Sequence, residues 1–583
     1  MWSKTTILDR LPWRSDADVV FLHPPSLLDF RSRAILLGPI SDVIPSSPIF
    51  EMYPIGFLSL SDHLERAGFS TRIINLAAKM LASSRYDPER TISKLRPKAF
   101  AVDLHWLPHV QGSLAIGELI KKHHPDIPVI YGGYSATYFA DELIRYPFVD
   151  YVVKGDSTER PLVLLMQAIE GNGALNKVPN LTYKDGNGQV RANKISHVPT
   201  NIDDVATDYI IPIRKSLRFF DIKAYLPFRS WAKYPITAVF PFRGCGYNCA
   251  TCGGSRFACG QVYNRHGVAA RSPGKVSQEL RHLAKTFNAP TMIIGDIMQN
   301  GRQYAYRILD EIKRIRFRNE LVLEFFTPPS ADIIERVRAS VPRYNVEISP
   351  ESHDERVRRA FGRPFSNNQL EKSIQTCIEQ GCERIDLFFM IGLPEQDYQS
   401  VMDTIDYCEY LLLSYGQNKT LHPFIAPLAP FIDPGSAVWE QAEAHGYRLF
   451  ARSLCEHREL MDSASSWKQF LNYETAWMSR DEIVDSTYEA ALRLNTLKRK
   501  YGLISQDKAA IVDKNARTSR EQLKRIDALI ANRQQGSTAW KQLEDELKTM
   551  MTDTICYKEE INWPTSFYRF NIAGIISQLL GRT

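Results

Sequence analysis

The sequence predicts an α/β protein with three parts: a Rossmann-like domain over residues 1–199, a partial (β/α) barrel over 235–435 and a mainly helical region over 436–583. Residues 200–234 are predicted to form a linker packed on both domains. Two stretches in which short apolar strands alternate with helical patterns indicate the first two parts. The length of 583 residues supports this division, because domains usually contain about 100–200 residues.

The first part contains strand-like segments that alternate with helix-like ones. The predicted strands are residues 18–24, 71–76, 98–104, 127–131 and 149–153. Helices are predicted over 54–68 and 113–123, and residues 176–195 have the pattern of a hairpin. Such alternation favours a doubly wound sheet, whose ligands bind beyond the carboxyl ends of the strands.

The same alternation resumes at residue 235. Strands are predicted over residues 237–242, 291–295, 321–327, 345–349, 385–391 and 424–426. Helices are predicted between them, for example over 274–287 and 368–380. Successive βα units of this kind are typical of a parallel barrel. Beyond residue 435 the pattern is mostly helical, and residues 514–551 are charged and periodic.

Composition and charge exclude several classes of protein. The net charge of +6 is spread along the chain, which argues against a nucleic-acid binder. No apolar run approaches the roughly 18 residues of a membrane span, and residues 1–18 lack the apolar core of a signal peptide. The nine cysteines are few and odd in number, which predicts a reducing cytoplasmic location rather than a disulfide framework.

Three cysteines follow the first predicted barrel strand at the spacing C-x3-C-x2-C. Cys245, Cys249 and Cys252 present thiolates that suit iron or zinc. A structural zinc ion needs a fourth ligand, for which Cys259 and His266 are candidates. The paired spacing of zinc ribbons is absent, so we predict a 4Fe-4S cluster. Cubane clusters normally take four cysteines, and three leave one iron open to a substrate.

The spacing, its place after the first barrel strand and the glycines that follow it resemble the radical SAM superfamily, over about residues 235–435. In that family the cluster donates an electron to S-adenosylmethionine and yields a 5′-deoxyadenosyl radical. One departure is Thr251, where the family usually has an aromatic residue against the adenine.

This resemblance also implies residues that contact S-adenosylmethionine. Gly295 and Asp296 end the second strand near its amino group, and Ser349 and Glu351 end the fourth near its ribose. Its carboxylate is expected to pair with Arg363, for which Arg358 and Arg359 are alternatives. Gly392 belongs to a segment expected to approach the adenine. The alternative for these polar residues is simple solvation at strand ends.

The first domain resembles the cobalamin-binding domain of cobalamin-dependent radical SAM enzymes, on residues 23–25, 131–137 and 155–159. The resemblance implies that the backbone approaches the corrinoid at glycines and that hydroxyls bond its nucleotide tail. The residues expected to do so are Gly132, Gly133, Ser135, Thr137, Gly155 and Ser157. The alternative is a degenerate domain that only caps the barrel.

The lower face of the cobalt is predicted to have no histidine ligand. The Asp-x-His-x-x-Gly loop that would supply one is absent after the first strand. Residues 103–108, with His105, resemble it superficially, but they follow the third strand and lack the glycine. We expect the loop over residues 26–53 to cover this face.

The resemblance implies a methyltransferase acting on an unactivated carbon, or phosphorus, of a small molecule through methylcobalamin and the deoxyadenosyl radical. The alternative is cyclisation, rearrangement or carbon–carbon bond formation without methylation, for example on a lipid. A flavodoxin or ferredoxin is the expected electron donor. A methylthiolase of tRNA is disfavoured because no cysteine precedes Cys245. Trp467, Tyr473, Trp477, Trp563 and Tyr568 are candidates for an apolar pocket or for the core.

Overall fold

The computed structural model describes residues 17–41, 44–428, 430–550, 556–563 and 569–579. Residues 1–18, which were predicted not to form a signal peptide, therefore lie almost wholly outside the described residues, and Tyr568 also lies outside them. No helix within the described ranges is long and apolar enough to cross a membrane.

The N-terminal domain is a doubly wound sheet, as predicted. Its strands are β1 (Val19–His23), β2 (Thr71–Asn75), β3 (Ala99–Asp103), β4 (Val129–Gly132), β5 (Tyr151–Val153), β6 (Leu181–Lys184) and β7 (Val190–Ala192). The order is β2-β1-β3-β4-β5-β6-β7, with β1 to β5 parallel and the β6–β7 hairpin antiparallel. The strand order reverses between β1 and β3, and folds of this kind bind ligands at such a switch point.

Helices cover both faces of this sheet, so its strands are continuously apolar. Every residue of β1 is buried, as expected for a parallel sheet covered on both sides. The helices are Gly56–Arg66, Leu76–Ala82, Pro88–Lys94, Val110–His123, Tyr134–Tyr138, Ala140–Leu143 and Glu159–Ile169.

The segment between the two domains contains a helix, Ile210–Phe219, and a short turn of helix, Ile222–Tyr225. The helix buries Ile210, Ile211 and Phe219 and directs Lys215 to the carboxylate of Glu65. Its ten residues and early proline give a weak periodic signal, which explains why the sequence predicts only a linker here.

Six parallel strands form a partial barrel in sequential order, which confirms the predicted barrel. In order from the first to the sixth, the strands are Thr237–Val239, Thr291–Ile293, Leu321–Phe325, Tyr344–Glu351, Arg384–Ile391 and Leu421–Pro427. The helices are Arg256–Tyr263, Pro273–Thr286, Arg302–Arg314, Ala331–Ser340, Glu355–Phe361, Asn367–Glu379 and Tyr398–Tyr415. After the first strand, Phe242–Arg243 pairs with Ala269–Ala270 as a short antiparallel ribbon. The loop that carries Cys245, Cys249 and Cys252 begins directly after Arg243 of this ribbon.

The C-terminal region is mainly helical and packs on the last barrel strands. Its helices are Ala437–Glu440, Leu454–Ser463, Trp467–Phe470, Arg480–Lys500, Gln506–Ala531, Thr538–Met550 and Ile572–Leu579, with a ribbon of Tyr447–Leu449 and Tyr473–Thr475. Trp467, Tyr473 and Trp563 are buried in the core. Trp563 donates its indole N–H to Asp386 of the fifth barrel strand at 3.1 Å.

Candidate functional site

The three cysteines lie in the loop between the short ribbon and helix Arg256–Tyr263, and each sulfur accepts one N–H donor. The donors are the backbone N–H of Tyr247 to Cys245 at 3.4 Å, the Nε of Arg363 to Cys249 at 3.4 Å and the backbone N–H of Gly254 to Cys252 at 3.3 Å. Such donors stabilise the negative charge of metal-bound thiolates. The donor set therefore fits an iron–sulfur cluster.

The arrangement does not resemble a single-metal site. In the described part of the chain, no group of three or more His, Cys, Asp or Glu side chains is arranged to hold a metal ion. The Cys259 thiol donates to the Gly254 carbonyl at 3.3 Å, and the ring of His266 contacts Asn264. A tetrahedral zinc ion needs four convergent ligands, whereas a cluster spreads its thiolates over separate irons. Burial raises the pKa of Cys245, so cluster assembly must release its proton.

Neighbouring segments clamp the cysteine loop. Gly362 has φ +104°, and a Cβ there would lie 2.5 Å from the carbonyl oxygen of Asn248, so only glycine fits. The backbone N–H of Ala250 donates to the Phe361 carbonyl at 2.8 Å. Asp433 accepts the N–H of Gly253 at 3.0 Å, and burial raises the pKa of Asp433 to about 6.

Arg363 joins the cysteine loop to two barrel strands. Besides its contact with Cys249, it donates through Nη1 to the carbonyls of Phe326 at 2.9 Å and Ser349 at 3.0 Å. Its Nη2 pairs with Glu351 at 3.2 Å, and the residue is 6% exposed. The guanidinium thus holds the ends of the third and fourth strands against the cluster-binding loop, while the sequence predicts a role with the S-adenosylmethionine carboxylate.

Glu351 has an unused acceptor at the same place. It is 2% exposed, has φ +68° after a bulge in the fourth strand, and its Oε2 has no hydrogen-bond partner within the described residues. Burial raises its pKa to about 7, although Arg363 opposes this shift. Positive φ in a non-glycine residue costs about 1–3 kcal/mol and tends to occur at functional sites. Oε2 is therefore a candidate acceptor for a ligand hydroxyl.

Asp296 is oriented by three donors. It accepts the hydroxyl of Tyr247 at 2.7 Å and the backbone N–H groups of Met298 at 2.8 Å and Phe326 at 3.2 Å. The adjacent N–H of Gly295 donates to Glu324 at 2.8 Å. Tyr247 lies between two of the cysteines, so it links the cluster loop to the second strand. No local pattern in the sequence points to this tyrosine.

The other residues predicted for S-adenosylmethionine have different surroundings. A Cβ on Gly392 would lie 2.8 Å from the hydroxyl of Tyr473, which accounts for the glycine. Arg358 is buried and bonds the Ser352 carbonyl and the Asn367 side chain, and Arg359 is exposed. Among the three predicted arginines, the described contacts bring only Arg363 to the cysteines.

The carboxyl ends of β1 and β3 carry a buried polar cluster at the switch point of the N-terminal sheet. His23 bonds Asp103 through Nδ1 at 2.9 Å and the carbonyl of Phe50 through Nε2 at 3.1 Å. His109 bonds the same carbonyl through Nε2 at 2.9 Å. Asp103 Oδ2 and His109 Nδ1 are buried without partners in the described residues, which fits a crevice that receives a polar ligand.

The residues predicted to contact cobalamin come together at the ends of β4 and β5, where they also bond one another. A Cβ on Gly133, which has φ +116°, would lie 2.5 Å from the Cα of His105. Ser135 donates through its N–H and hydroxyl to the His105 carbonyl. Thr137 donates to the Gly133 carbonyl at 2.8 Å and accepts the N–H of Gly155 at 3.0 Å. Gly132 has no comparable close contact.

The loop after β5 faces the barrel through one buried and one partly buried ion pair. Asp156 pairs with Arg265, whose Nη2 also contacts the hydroxyl of Ser157 at 3.2 Å. Glu159 pairs with Arg243 at 2.6 Å. The sequence predicts contacts with the nucleotide tail for this loop, and the structure shows contacts between domains.

An aromatic stack runs from this crevice to the cysteine loop. The ring of Tyr134 stacks on His105 at 4.7 Å and on Tyr263 at 4.8 Å. The hydroxyl of Tyr263 donates to the carbonyl of Gly253 at 3.3 Å, next to Cys252. The carboxyl edge of the first domain and the cysteine loop are therefore neighbours.

Comparisons with known proteins match these two halves. The B12 binding domain family matches residues 43–164, and the Radical SAM superfamily matches residues 239–408. The chain is 22% identical over 398 residues to an uncharacterized methyltransferase of Pyrococcus horikoshii, covering 68% of this chain and 80% of that protein. It is 20% identical to the 2-(S-pantetheinyl)-carbapenam-3-carboxylate methyltransferase of Streptantibioticus cattleyicolor, covering 64% of this chain but only 53% of that protein.

Two solved structures share the fold. The radical S-adenosylmethionine methyltransferase TsrM from Kitasatospora setae, with cobalamin and a 4Fe-4S cluster bound, has a TM-score of 0.57 at 15% identity, covering 87% of this chain and 99% of TsrM. The cobalamin-dependent enzyme OxsB, with aqua-cobalamin and S-adenosylmethionine bound, has a TM-score of 0.54 at 12% identity, covering 97% of this chain and 80% of OxsB. With a B12-binding and a radical SAM domain in one chain, the protein belongs to the cobalamin-dependent radical SAM enzymes, whose cofactors are a 4Fe-4S cluster, S-adenosylmethionine and cobalamin.

Proposed function

We propose that this enzyme transfers a methyl group to an unactivated carbon, or a phosphorus, of a small molecule. The names of both curated relatives and of TsrM support methyl transfer. The observation that carries the proposal is the His105–Tyr134–Tyr263 stack, because it makes the corrinoid crevice a neighbour of the cysteine loop. A radical and a methyl carrier must act on the same substrate, which requires this proximity.

When bound, the cluster and S-adenosylmethionine supply the radical, and cobalamin carries the methyl group. The chain itself supplies position and protection from water. Arg363 and Tyr247 hold the cysteine loop against the strand ends. We assign to Glu351 Oε2 a hydrogen bond with a hydroxyl of S-adenosylmethionine. This oxygen is buried and has no hydrogen-bond partner within the described residues. The hydroxyls of Ser135, Thr137 and Ser157 remain proposed contacts of the corrinoid tail.

The proposal includes a partner and a location. A reduced flavodoxin or ferredoxin would supply the electron, and the reducing cytoplasm would preserve the cluster thiolates. The substrate would enter at the barrel top, between the two domains and the C-terminal helices.

The test is anaerobic reconstitution with iron, sulfide, cobalamin and S-adenosylmethionine that carries a deuterated methyl group, followed by mass spectrometry of products from a cognate cell extract. A product that contains the deuterated methyl group is expected. Cys249→Ala should abolish it, whereas Cys455→Ala, at an exposed cysteine outside the site, should not. Formation of 5′-deoxyadenosine together with an unmethylated product would overturn methyl transfer in favour of cyclisation, rearrangement or carbon–carbon bond formation.

A further inference from the structure

One surface patch, distant in sequence from the cysteine motif, exposes apolar side chains from two adjacent helices. Leu217 of helix Ile210–Phe219 is 55% exposed, and Ile222 just after it is 65% exposed. Helix Ile572–Leu579 packs on the first helix and exposes Ile572 by 63% and Ile576 by 52%. Grouped exposed apolar residues usually mark an interaction site, whereas single ones do not. We call these four residues the apolar patch.

The C-terminal helix is held in place by specific contacts. The side chain of Gln578 donates to the hydroxyl of Thr286 at 2.8 Å, and the N–H of Asn571 donates to the Thr286 carbonyl at 2.9 Å. The exposure of Ile572 and Ile576 therefore belongs to an anchored helix.

Exposed basic side chains lie beside Leu217 and Ile222 of the apolar patch. Arg214 is exposed three residues before Leu217, so the two side chains are neighbours on the helix, and Arg218 is exposed directly after Leu217. Lys223 is exposed beside Ile222. Within the described residues none of these three cations forms an ion pair, and the nearby Asp221 already pairs with Lys79 at 2.6 Å. The side of the patch that holds Leu217 and Ile222 therefore carries positive charge that no described ion pair neutralises.

An apolar pocket opens beside Leu217 and Ile222, two of the four residues of the patch. It has a volume of about 210 Å³, and its walls include Leu217, Ile222, Tyr209, Tyr225, Trp231 and Phe570. Apolar cavities of about 150 Å³ hold a benzene-sized molecule. The pocket therefore has room for the end of one hydrocarbon chain, and it shares no residue with the cysteine network described above.

We propose that this face binds the surface of an anionic membrane and that the pocket takes one acyl chain of an anionic lipid. Basic residues around exposed apolar side chains are typical of proteins that lie on anionic membranes. A second copy of this chain fits less well, because a two-fold interface pairs the same surface on both copies and would bring two sets of unpaired cations together. The inference does not depend on methyl transfer, and it does not make the lipid the substrate.

The first test measures cosedimentation of the full-length protein, with its cluster, with extruded vesicles. Binding to phosphatidylglycerol vesicles is expected, with much weaker binding to phosphatidylcholine and a decrease at high salt. Leu217→Asp and Ile222→Asp should each reduce binding at least tenfold, and Arg214→Ala and Arg218→Ala about fivefold each. Leu413→Asp is the matched control, since Leu413 is 66% exposed on helix Tyr398–Tyr415, and it should leave binding unchanged.

The second test asks whether a chain enters the pocket. Phosphatidylglycerol brominated along its acyl chain should quench the fluorescence of Trp231, and Trp231→Phe should remove that quenching. Several results would overturn the proposal: no vesicle binding, equal binding to both lipids, equal loss in the Leu413→Asp control, or quenching that persists in Trp231→Phe. A dimer that Leu217→Asp dissociates, without any vesicle binding, would assign the patch to a second copy instead.

Discussion

Arg363 offers a sharp test of how the cluster loop is held. Arg363→Met keeps most of the side-chain volume but removes the donor to Cys249 and the partner of Glu351. Arg363 is 6% and Glu351 2% exposed, so the pair is buried. Removing one partner of a buried pair costs about 3–5 kcal/mol, because the remaining charge is left unpaired. We expect the free energy of unfolding to fall by this amount.

The pH dependence identifies the cause. Burial raises the pKa of Glu351 from 4.5 to about 7 even with Arg363 present. Each pKa unit corresponds to about 1.4 kcal/mol, so this rise corresponds to about 3 kcal/mol. The pKa of Glu351 is higher in the folded protein than in the unfolded one. The stability that Glu351 contributes below about pH 4.5 is therefore lost as the pH rises through 7. The loss in Arg363→Met should therefore be greater at pH 8 than at pH 5.

The assay is urea unfolding of the cluster-free protein at both pH values. Arg363→Met combined with Glu351→Gln should recover much of the stability, since no buried charge remains. Arg356→Met is the control: Arg356 is 56% exposed, pairs with Asp354 and Glu395, and should cost less than about 1 kcal/mol. A double variant no more stable than Arg363→Met, or an equal loss of stability in Arg356→Met, would refute this role of the buried pair.

Three further outcomes are expected. Anaerobically prepared protein should contain about four irons and four sulfides, and Cys249→Ala should lose them; tightly bound zinc after careful reconstitution would contradict the cluster. Gly133→Val should weaken the corrinoid absorption of cobalamin-loaded protein at least tenfold, because the valine side chain would displace His105. Gly68→Val is the control, since Gly68 has φ +93° and open space around it, and it should not weaken the absorption. Equal loss in both variants would refute a local effect of Gly133. Electron paramagnetic resonance of the Co(II) form should show no imidazole nitrogen splitting; splitting that His105→Ala removes would establish His105 as a ligand.

The fold was predictable because its strands are buried on both faces and its helices begin at local signals. The prediction for residues 18–24 corresponds to Val19–His23, in which every residue is buried. The prediction for 368–380 corresponds to Asn367–Glu379, which starts at a capping box formed by Ser366 and Gln369. Helix Ile210–Phe219 was not predicted, since its stability comes from contacts such as Lys215 to Glu65, which are 150 residues apart.

The candidate site also has a part that could be predicted from the sequence and a part that could not. Cys245, Cys249 and Cys252 lie within eight residues of one another, so their spacing can be read directly from the sequence. The role of Arg363 depends on a contact with a residue 114 positions away, and no local pattern reports such a contact. The contact with the ligand carboxylate stays a prediction for Arg363, and the structure adds a contact with the cluster loop that the sequence could not predict.

Side chains next to the cysteine motif contribute to the position of the crevice relative to the cysteine loop. Arg243 and Arg265 belong to the matched radical SAM region, and their partners Asp156 and Glu159 belong to the matched B12-binding region. Arg265 lies two residues after Tyr263, so a single turn supplies both an ion pair and the stack on Tyr134. The Arg265–Asp156 pair is buried, and the stability of a buried pair depends strongly on its geometry. The two domains are therefore held in register by residues next to the cysteine motif, which places the proposed methyl carrier and the radical source at one interface.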